Sequence, residues 1–154
     1  MAIYMKLGSI AGSVTTNGYE NWIMLEEFKW GFAASGTLAQ AGAEVTVREV
    51  AVKMRAESAS PLVVNAGLSR SVLKPSVQFK FTTTGKDSVV VFLSYELSNC
   101  IISSYGIEAP GEGHPIESLS LNFTKITETY NPRDSKLIGS PSSVTYDVTT
   151  AQTS

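Results

Sequence analysis

The chain has 154 residues, of which 43% are hydrophobic and only 17% are charged, and its formal net charge is −2. This hydrophobic content excludes intrinsic disorder. The charge gives no electrostatic basis for binding nucleic acid or an anionic membrane surface. Cys100 is the single cysteine, so no disulfide can form within the chain. We expect one domain over residues 1–148, followed by a polar, disordered tail at 149–154.

The first part of the chain predicts two strands that are separated by a loop. Ile3, Met5 and Leu7 recur at every second position, which is the period of a strand. Residues 8–19 are rich in Gly, Ser, Thr and Asn and predict a loop. Residues 22–32 carry apolar side chains at both even and odd positions, which predicts one long strand covered on both faces.

Residues 33–42 are small and uncharged, and Leu38 lies among them without periodic partners. A solvated loop normally carries charge or turn-forming residues, so we predict that this loop contacts a neighbouring subunit. The alternative is a loop folded back on its own barrel. The candidate interface consists of Ala33, Ala34, Ser35, Gly36, Thr37, Leu38, Ala39 and Gln40.

Residues 45–54 alternate again and predict a strand, in which a change of phase at Val50 predicts a bulge.

One short helix is predicted within residues 58–70. Ser60 is a suitable N-cap, and Pro61 suits the first helical position, where its missing N–H removes no hydrogen bond. An apolar stripe faces the core in this prediction, and Gly67 predicts that the helix ends after about two turns. The stripe consists of Leu62, Val63, Ala66 and Leu68.

The remainder predicts strands. Apolar residues alternate over residues 77–81 and 89–97, with a turn between them. Residues 116–148 predict a long closing hairpin, because alternate positions are apolar on either side of the turn-forming residues 131–134. About six to eight strands with one short helix predict a mainly β fold. We expect a small closed β-barrel of two packed sheets, with the helix flanking it and residues 33–42 forming an extended loop.

No group of residues predicts catalysis. His114 is the only histidine and lies in a loop, whereas metal and triad sites need several convergent groups. Glu26 and Glu27 are adjacent, so on a strand they point to opposite faces and form a poor acid–base pair. The chain contains no P-loop, no G-x-G-x-x-G and no G-x-S-x-G elbow. We therefore predict a protein that is not an enzyme, with no catalytic, cofactor-binding or metal-binding residues.

The order of these segments resembles one family, the haemolysin-coregulated proteins (Hcp), which are the tube-forming and secreted subunits of bacterial type VI secretion. The resemblance covers almost the whole chain. It lies in the opening strand at residues 2–7, the aromatic-Gly step Phe28-Lys29-Trp30-Gly31, the small-residue loop at 33–42, the strand at 45–53, the helix start Ser60-Pro61-Leu62, the strand at 97–104 and the closing strand and turn at 119–130.

This resemblance implies a homo-hexameric ring that stacks head to tail into a tube and is expelled with effector proteins in its lumen. The implied partners are the sheath, spike and baseplate proteins of the secretion apparatus, with no nucleic acid and no membrane insertion. The segment MAIYMKLGSIAG has one Lys and no apolar core of signal-peptide length. We expect synthesis in the bacterial cytoplasm without a signal peptide, followed by secretion through the type VI system.

Two alternatives stay open. A phage-tail-like tube protein shares the implied architecture. A monomeric β-barrel binding module would have an apolar cavity and would not assemble. The oligomeric state separates the second alternative from a tube subunit.

Overall fold

A computed structural model describes residues 1–36, 44–85, 89–132 and 140–154. Within these ranges the chain forms twelve strands and one helix, so the predicted mainly β fold with one short helix is confirmed. The elements in chain order are β1 (Ala2–Leu7), β2 (Ile23–Lys29), β3 (Phe32–Ala34), β4 (Val45–Val47), β5 (Val50–Arg55), α1 (Ser60–Leu68), β6 (Val77–Thr84), β7 (Val89–Ser98), β8 (Ile101–Glu108), β9 (Ile116–Asn122), β10 (Lys125–Tyr130), β11 (Ser142–Asp147) and β12 (Gln152–Thr153).

Ten of the strands form one antiparallel sheet, in the order β12-β11-β10-β7-β6-β1-β2-β5-β9-β8. The first strand of the chain therefore lies inside the sheet, where Ile3 is opposite Phe81 on one side and Leu25 on the other. β3 and β4 pair only with each other and form a separate two-stranded sheet. The second sheet is thus a small hairpin and not half of a sandwich.

Inward-facing residues from distant parts of the large sheet share one core. Phe79 of β6, Leu97 of β7 and Ile126 of β10 belong to the same buried cluster as Leu121 of β9 and Ile102 of β8. The sheet therefore curls around a common interior, because a flat sheet would hold these strands apart. In the described part of the chain the ladder ends at β12 and β8, which do not pair with each other. Complete closure of the barrel stays a prediction.

Two strands that were predicted as continuous are divided in the structure. Residues 22–32 contain β2 and β3, and residues 45–54 contain β4 and β5. β2 and β5 pair within the large sheet, whereas β3 and β4 pair outside it. The change of phase at Val50 arises because the chain passes from one sheet to the other. The predicted position of the bulge is wrong, since the register irregularity lies on β2 between Leu25 and Glu27.

The helix differs from its prediction in two respects. It begins at Ser60 with Pro in the first turn, and the preceding residue is the N-cap, so the prediction of Ser60 as the cap is wrong. The predicted apolar stripe also divides. Val63 and Ala66 are buried, whereas Leu62 and Leu68 are exposed. With about 100° between successive residues, Leu68 lies on the side of the helix opposite Val63 and Ala66. Leu62 lies next to Ala66 around the helix and is exposed at the edge of the buried face.

The N-terminal loop packs closely against the start of the sheet. The Gly12 amide donates to the Asn21 carbonyl at 2.7 Å. A Cβ at Gly12 would lie only 2.3 Å from the Trp22 carbonyl oxygen. Tyr4 of β1 stacks on Tyr19 with 4.6 Å between the ring centroids. This predicted loop is therefore fixed by backbone contacts and aromatic stacking.

The closing segment is not the single hairpin that the sequence predicts. β9 pairs with β5 and β8, whereas β10 pairs with β7 and β11. The hairpin is β10–β11, with Ile126 opposite Tyr146. Leu119 and Leu121 of β9 are buried as the alternation predicts. The predicted turn at 131–134 lies partly outside the described residues.

Hydrogen bonds to Asp147 form a turn at the start of the polar tail. The Thr149 amide and hydroxyl donate to the Asp147 carboxylate at 2.9 and 2.5 Å. These bonds lower the pKa of Asp147, with the hydroxyl contributing most. The turn returns the chain to β11, where Thr153 of β12 lies opposite Tyr146.

Candidate functional site

The first four residues of the predicted interface lie on the β3–β4 hairpin. Ala33 and Ala34 belong to β3, so the prediction that they form a loop is wrong, and Ser35 and Gly36 follow directly. All four are exposed. The other four predicted residues, Thr37, Leu38, Ala39 and Gln40, lie outside the described residues.

Backbone and side-chain hydrogen bonds hold the two strands of this hairpin together. The Ser35 amide donates to the Glu44 carbonyl at 2.8 Å. At the base of the hairpin, the Trp30 indole N–H donates to the Arg48 carbonyl at 3.0 Å, and the Arg48 amide donates to the Gly31 carbonyl at the same distance. The hairpin therefore leaves the large sheet at a defined point.

An apolar groove of about 390 Å³ lies between this hairpin and the strands β10, β11 and β12. Aromatic and β-branched side chains form its walls, and several of them are open to solvent. Phe32 is 60% exposed and Val45 is 49% exposed. Such a cluster of exposed apolar side chains is typical of a surface that binds a partner. Six of the lining residues are Trp30, Phe32, Val45, Glu128, Val144 and Tyr146.

Among the described residues that line this groove, Glu128 is the one that carries a charge. Its carboxylate accepts a hydrogen bond from the Tyr95 hydroxyl at 2.5 Å. Burial, reinforced by this carboxylate, raises the pKa of Tyr95 well above its usual range. The tyrosine therefore stays protonated and keeps the carboxylate oriented. Among the described residues, no lysine or arginine forms an ion pair with Glu128.

A second carboxylate, that of Glu117, is fully buried beside helix α1. The Ser60 hydroxyl donates to one of its oxygens at 2.6 Å, and the Tyr105 hydroxyl donates to the other at 2.6 Å. The Ser60 oxygen in turn accepts the Glu57 amide at 2.9 Å. Burial, followed by the hydrogen bond to Glu117, raises the pKa of Tyr105 to about 12. This network fastens the start of the helix to β8 and β9.

The residues with catalytic potential do not come together. The His114 ring nitrogen contacts the Ala56 carbonyl at 2.6 Å, which ties its exposed loop to the end of β5. The Ser103 hydroxyl donates to Glu49 near buried Cys100. No three His, Cys, Asp or Glu side chains in the described ranges are placed to hold a metal ion. Over the same residues, no helix has the length and apolar character needed to cross a bilayer.

Both carboxylates have a signal in the sequence, although neither belongs to a catalytic motif. Glu117 shares the face of Leu119 and Leu121 because side chains alternate along a strand, and Glu128 shares the face of Ile126 in the same way. In these two strands the acidic residue in the apolar register is a buried or half-buried carboxylate. Such a group needs hydrogen-bond donors from elsewhere in the fold.

The described residues thus define a mainly β protein that is built on one curled sheet and carries an exposed hairpin beside an apolar groove. The chain belongs to the family described as type VI secretion system effector, Hcp, whose profile matches residues 4–130. This match confirms the resemblance noted in the sequence. A search of curated protein sequences finds no match.

Solved structures of this family share the fold along almost the whole chain. A type six secretion system protein is 21% identical with a TM-score of 0.86, and the alignment covers 99% of each chain. Hcp1 from Salmonella typhimurium is 18% identical with a TM-score of 0.81, covering 99% of this chain and 98% of that one. A type VI secretion system effector from Yersinia pestis is 23% identical with a TM-score of 0.78, covering 95% and 99%.

Proposed function

We propose that this protein is a structural tube subunit of the bacterial type VI secretion system. Six copies form a ring, rings stack head to tail, and the tube is expelled with effector proteins in its lumen. The observation that carries this proposal is the family match over residues 4–130. The sheath, spike and baseplate proteins of the apparatus are its further partners, and it has no enzymatic role.

The shape of the subunit supports assembly. The large sheet and the hairpin give it two unlike surfaces, and a ring needs contacts between two different faces of one subunit. We include in the proposal a closed barrel and a single domain over residues 1–148. One buried cluster that draws on β10 and on β8 favours both.

Electron microscopy and native mass spectrometry of the purified protein at about 10 µM test the ring, since subunits of large obligate assemblies associate at such concentrations. We expect six-fold rings and six times the chain mass. A protein that stays monomeric under these conditions contradicts the proposal. Monomers that bind an apolar dye in the groove would support the alternative of a monomeric binding module.

The predicted interface at residues 33–40 enters this proposal as the contact between stacked rings. Its support is the exposure of Ala33, Ala34, Ser35 and Gly36 on a hairpin that stands apart from the large sheet. Ala34→Arg should leave the ring intact and shorten the tubes, because it places a desolvated charge at the contact. Ala109→Arg, at another exposed alanine, is the matched control. Tubes of normal length with Ala34→Arg would contradict this contact.

Export by the type VI route, from the cytoplasm and without cleavage, completes the proposal. Culture supernatants of the producing bacterium should contain the protein only when the secretion apparatus is intact. N-terminal sequencing of the secreted protein should find no processing beyond the initiator methionine. Secretion that persists when the apparatus is deleted would contradict this route.

A further inference from the structure

Besides the groove, the subunit has a second exposed apolar surface, at the end of helix α1. This surface carries a positive charge, whereas the groove carries the negative charge of Glu128. Leu68 is 82% exposed and Val72 is 44% exposed, and Arg70 stands exposed between them. We call these three residues the α1 knob. Among the described basic residues, Arg70 is the one that has two exposed large apolar residues within two positions of it in the sequence. The Arg70 guanidinium forms no ion pair with any described residue.

The backbone makes the presence of an arginine at this position unusual. Arg70 has φ = 54°, in the left-handed region where glycine is favoured. Its amide donates to the Gly67 carbonyl at 3.2 Å, and the Ser71 amide donates to the Ala66 carbonyl at 3.1 Å. These two bonds form a Schellman motif, in which glycine normally occupies the position of Arg70. A side chain kept in a strained position calls for a role outside the fold.

The groove beside the β3–β4 hairpin complements the α1 knob in its apolar character and in its charge. Its walls are apolar, and Glu128, the one charged side chain among its described lining residues, forms no ion pair with a described residue. A guanidinium that enters this groove can meet the carboxylate and lie against the indole face of Trp30. The neighbouring Leu68 and Val72 can then cover the apolar walls, which include Phe32.

We propose that the groove binds the α1 knob of a second copy of this chain, with Arg70 of one copy paired to Glu128 of the next. This inference rests on the proposed ring, and it names the surfaces that join neighbouring subunits within it. The two surfaces differ, so the contact is heterologous and each copy uses both of them. Repetition of one such contact closes a ring when the rotation per copy divides the circle evenly.

Charge reversal tests the pair. Arg70→Glu should raise the concentration for half-assembly, measured by sedimentation velocity, by at least about tenfold, because like charges then face each other in a desolvated contact. Glu128→Arg should do the same. The double variant Arg70→Glu/Glu128→Arg should return to within about threefold of the wild-type value, since the opposite charges are restored. Arg55→Glu, an exposed arginine on β5 away from both surfaces, is the control for net charge and should assemble normally.

Arg70→Gly gives an independent readout and does not depend on whether Glu128→Arg folds. It removes the strained left-handed arginine, so the melting temperature of the dissociated subunit should rise, while assembly should weaken. A structural role alone would not move these two measurements in opposite directions.

The outcomes separate this inference from the function on which it rests. A wild-type protein that forms no ring overturns the proposed function. A wild-type ring that persists unchanged with both Arg70→Glu and Arg70→Gly overturns the knob-in-groove contact and leaves the ring proposal standing. If a lysine-containing apolar peptide binds the groove of an intact ring, the groove has a different occupant and the inference is likewise overturned.

Discussion

The Ser60 hydroxyl is a small group, but its loss should destabilise the fold strongly. Ser60→Ala removes the donor at 2.6 Å from the buried Glu117 carboxylate, and it also removes the acceptor of the Glu57 amide at 2.9 Å. A hydrogen bond to a charged group contributes about 1.5–3 kcal/mol. Glu117 is fully buried, so water cannot replace the lost donor. We therefore expect the free energy of unfolding to fall by about 2–3 kcal/mol.

Tyr105→Phe removes the donor to the other oxygen of the same carboxylate. Tyr105 is 36% exposed, so water can replace part of what is lost. The expected decrease in the free energy of unfolding is smaller, about 1–1.5 kcal/mol. The double variant should lose more than the sum of the two single variants, because the carboxylate then has neither hydroxyl donor.

Equilibrium urea unfolding, followed by circular dichroism, measures these changes. The protein concentration must be the same for every variant, since assembly adds stability by mass action. For a domain of this size the Ser60→Ala change corresponds to a decrease in melting temperature of about 4–12 °C. Ser104→Ala, an exposed serine on β8, is the matched control and should lie within about 0.5 kcal/mol of the wild type. A Ser60→Ala protein as stable as this control would refute the network as an anchor of the helix.

Three further predictions concern the core and its close contacts. Gly12→Ala should lower the melting temperature, because its Cβ would lie 2.3 Å from the Trp22 carbonyl oxygen, whereas Gly106→Ala, with open space around it, should not. Phe79→Ala should lower the free energy of unfolding by about 3–5 kcal/mol in urea titrations, since Phe79 is fully buried. Burial raises the pKa of Cys100 from 9.0 to about 12, so its contribution to stability is complete below pH 9 and is lost as the pH rises toward 12. Between about pH 8 and about pH 10 the urea midpoint of Cys100→Ala should therefore fall less than that of the wild type.

Local pattern was sufficient to predict most strands. The period of two identifies β1, β6 and β9, because their inward positions carry large apolar residues. The helix was found from Ser-Pro and its apolar residues. Its buried face could not be predicted from composition, since Leu62 and Val63 are equally apolar and only packing against β8 decides between them.

Pairing between strands could not be read from the sequence. β9 and β10 are separated by two residues but lie far apart in the sheet order, and nothing in their alternation identifies their partners. The division of residues 22–32 into two strands could not be predicted either, because both strands carry apolar side chains. The partner proposed for Arg70 could not be predicted from the sequence either, because the groove that contains Glu128 forms only when distant strands come together.

The sheet order also determines when the protein can fold during its synthesis. β1 and β5 emerge early from the ribosome, and each has one partner at hand in β2. Their other partners, β6 and β9, come later in the chain, so β1 and β5 each keep one open strand edge while the rest is made. Such edges are templates for mispairing with other chains. The nascent chain therefore carries these two open edges until β6 and β9 have been translated, and only then can the native sheet pair both of them.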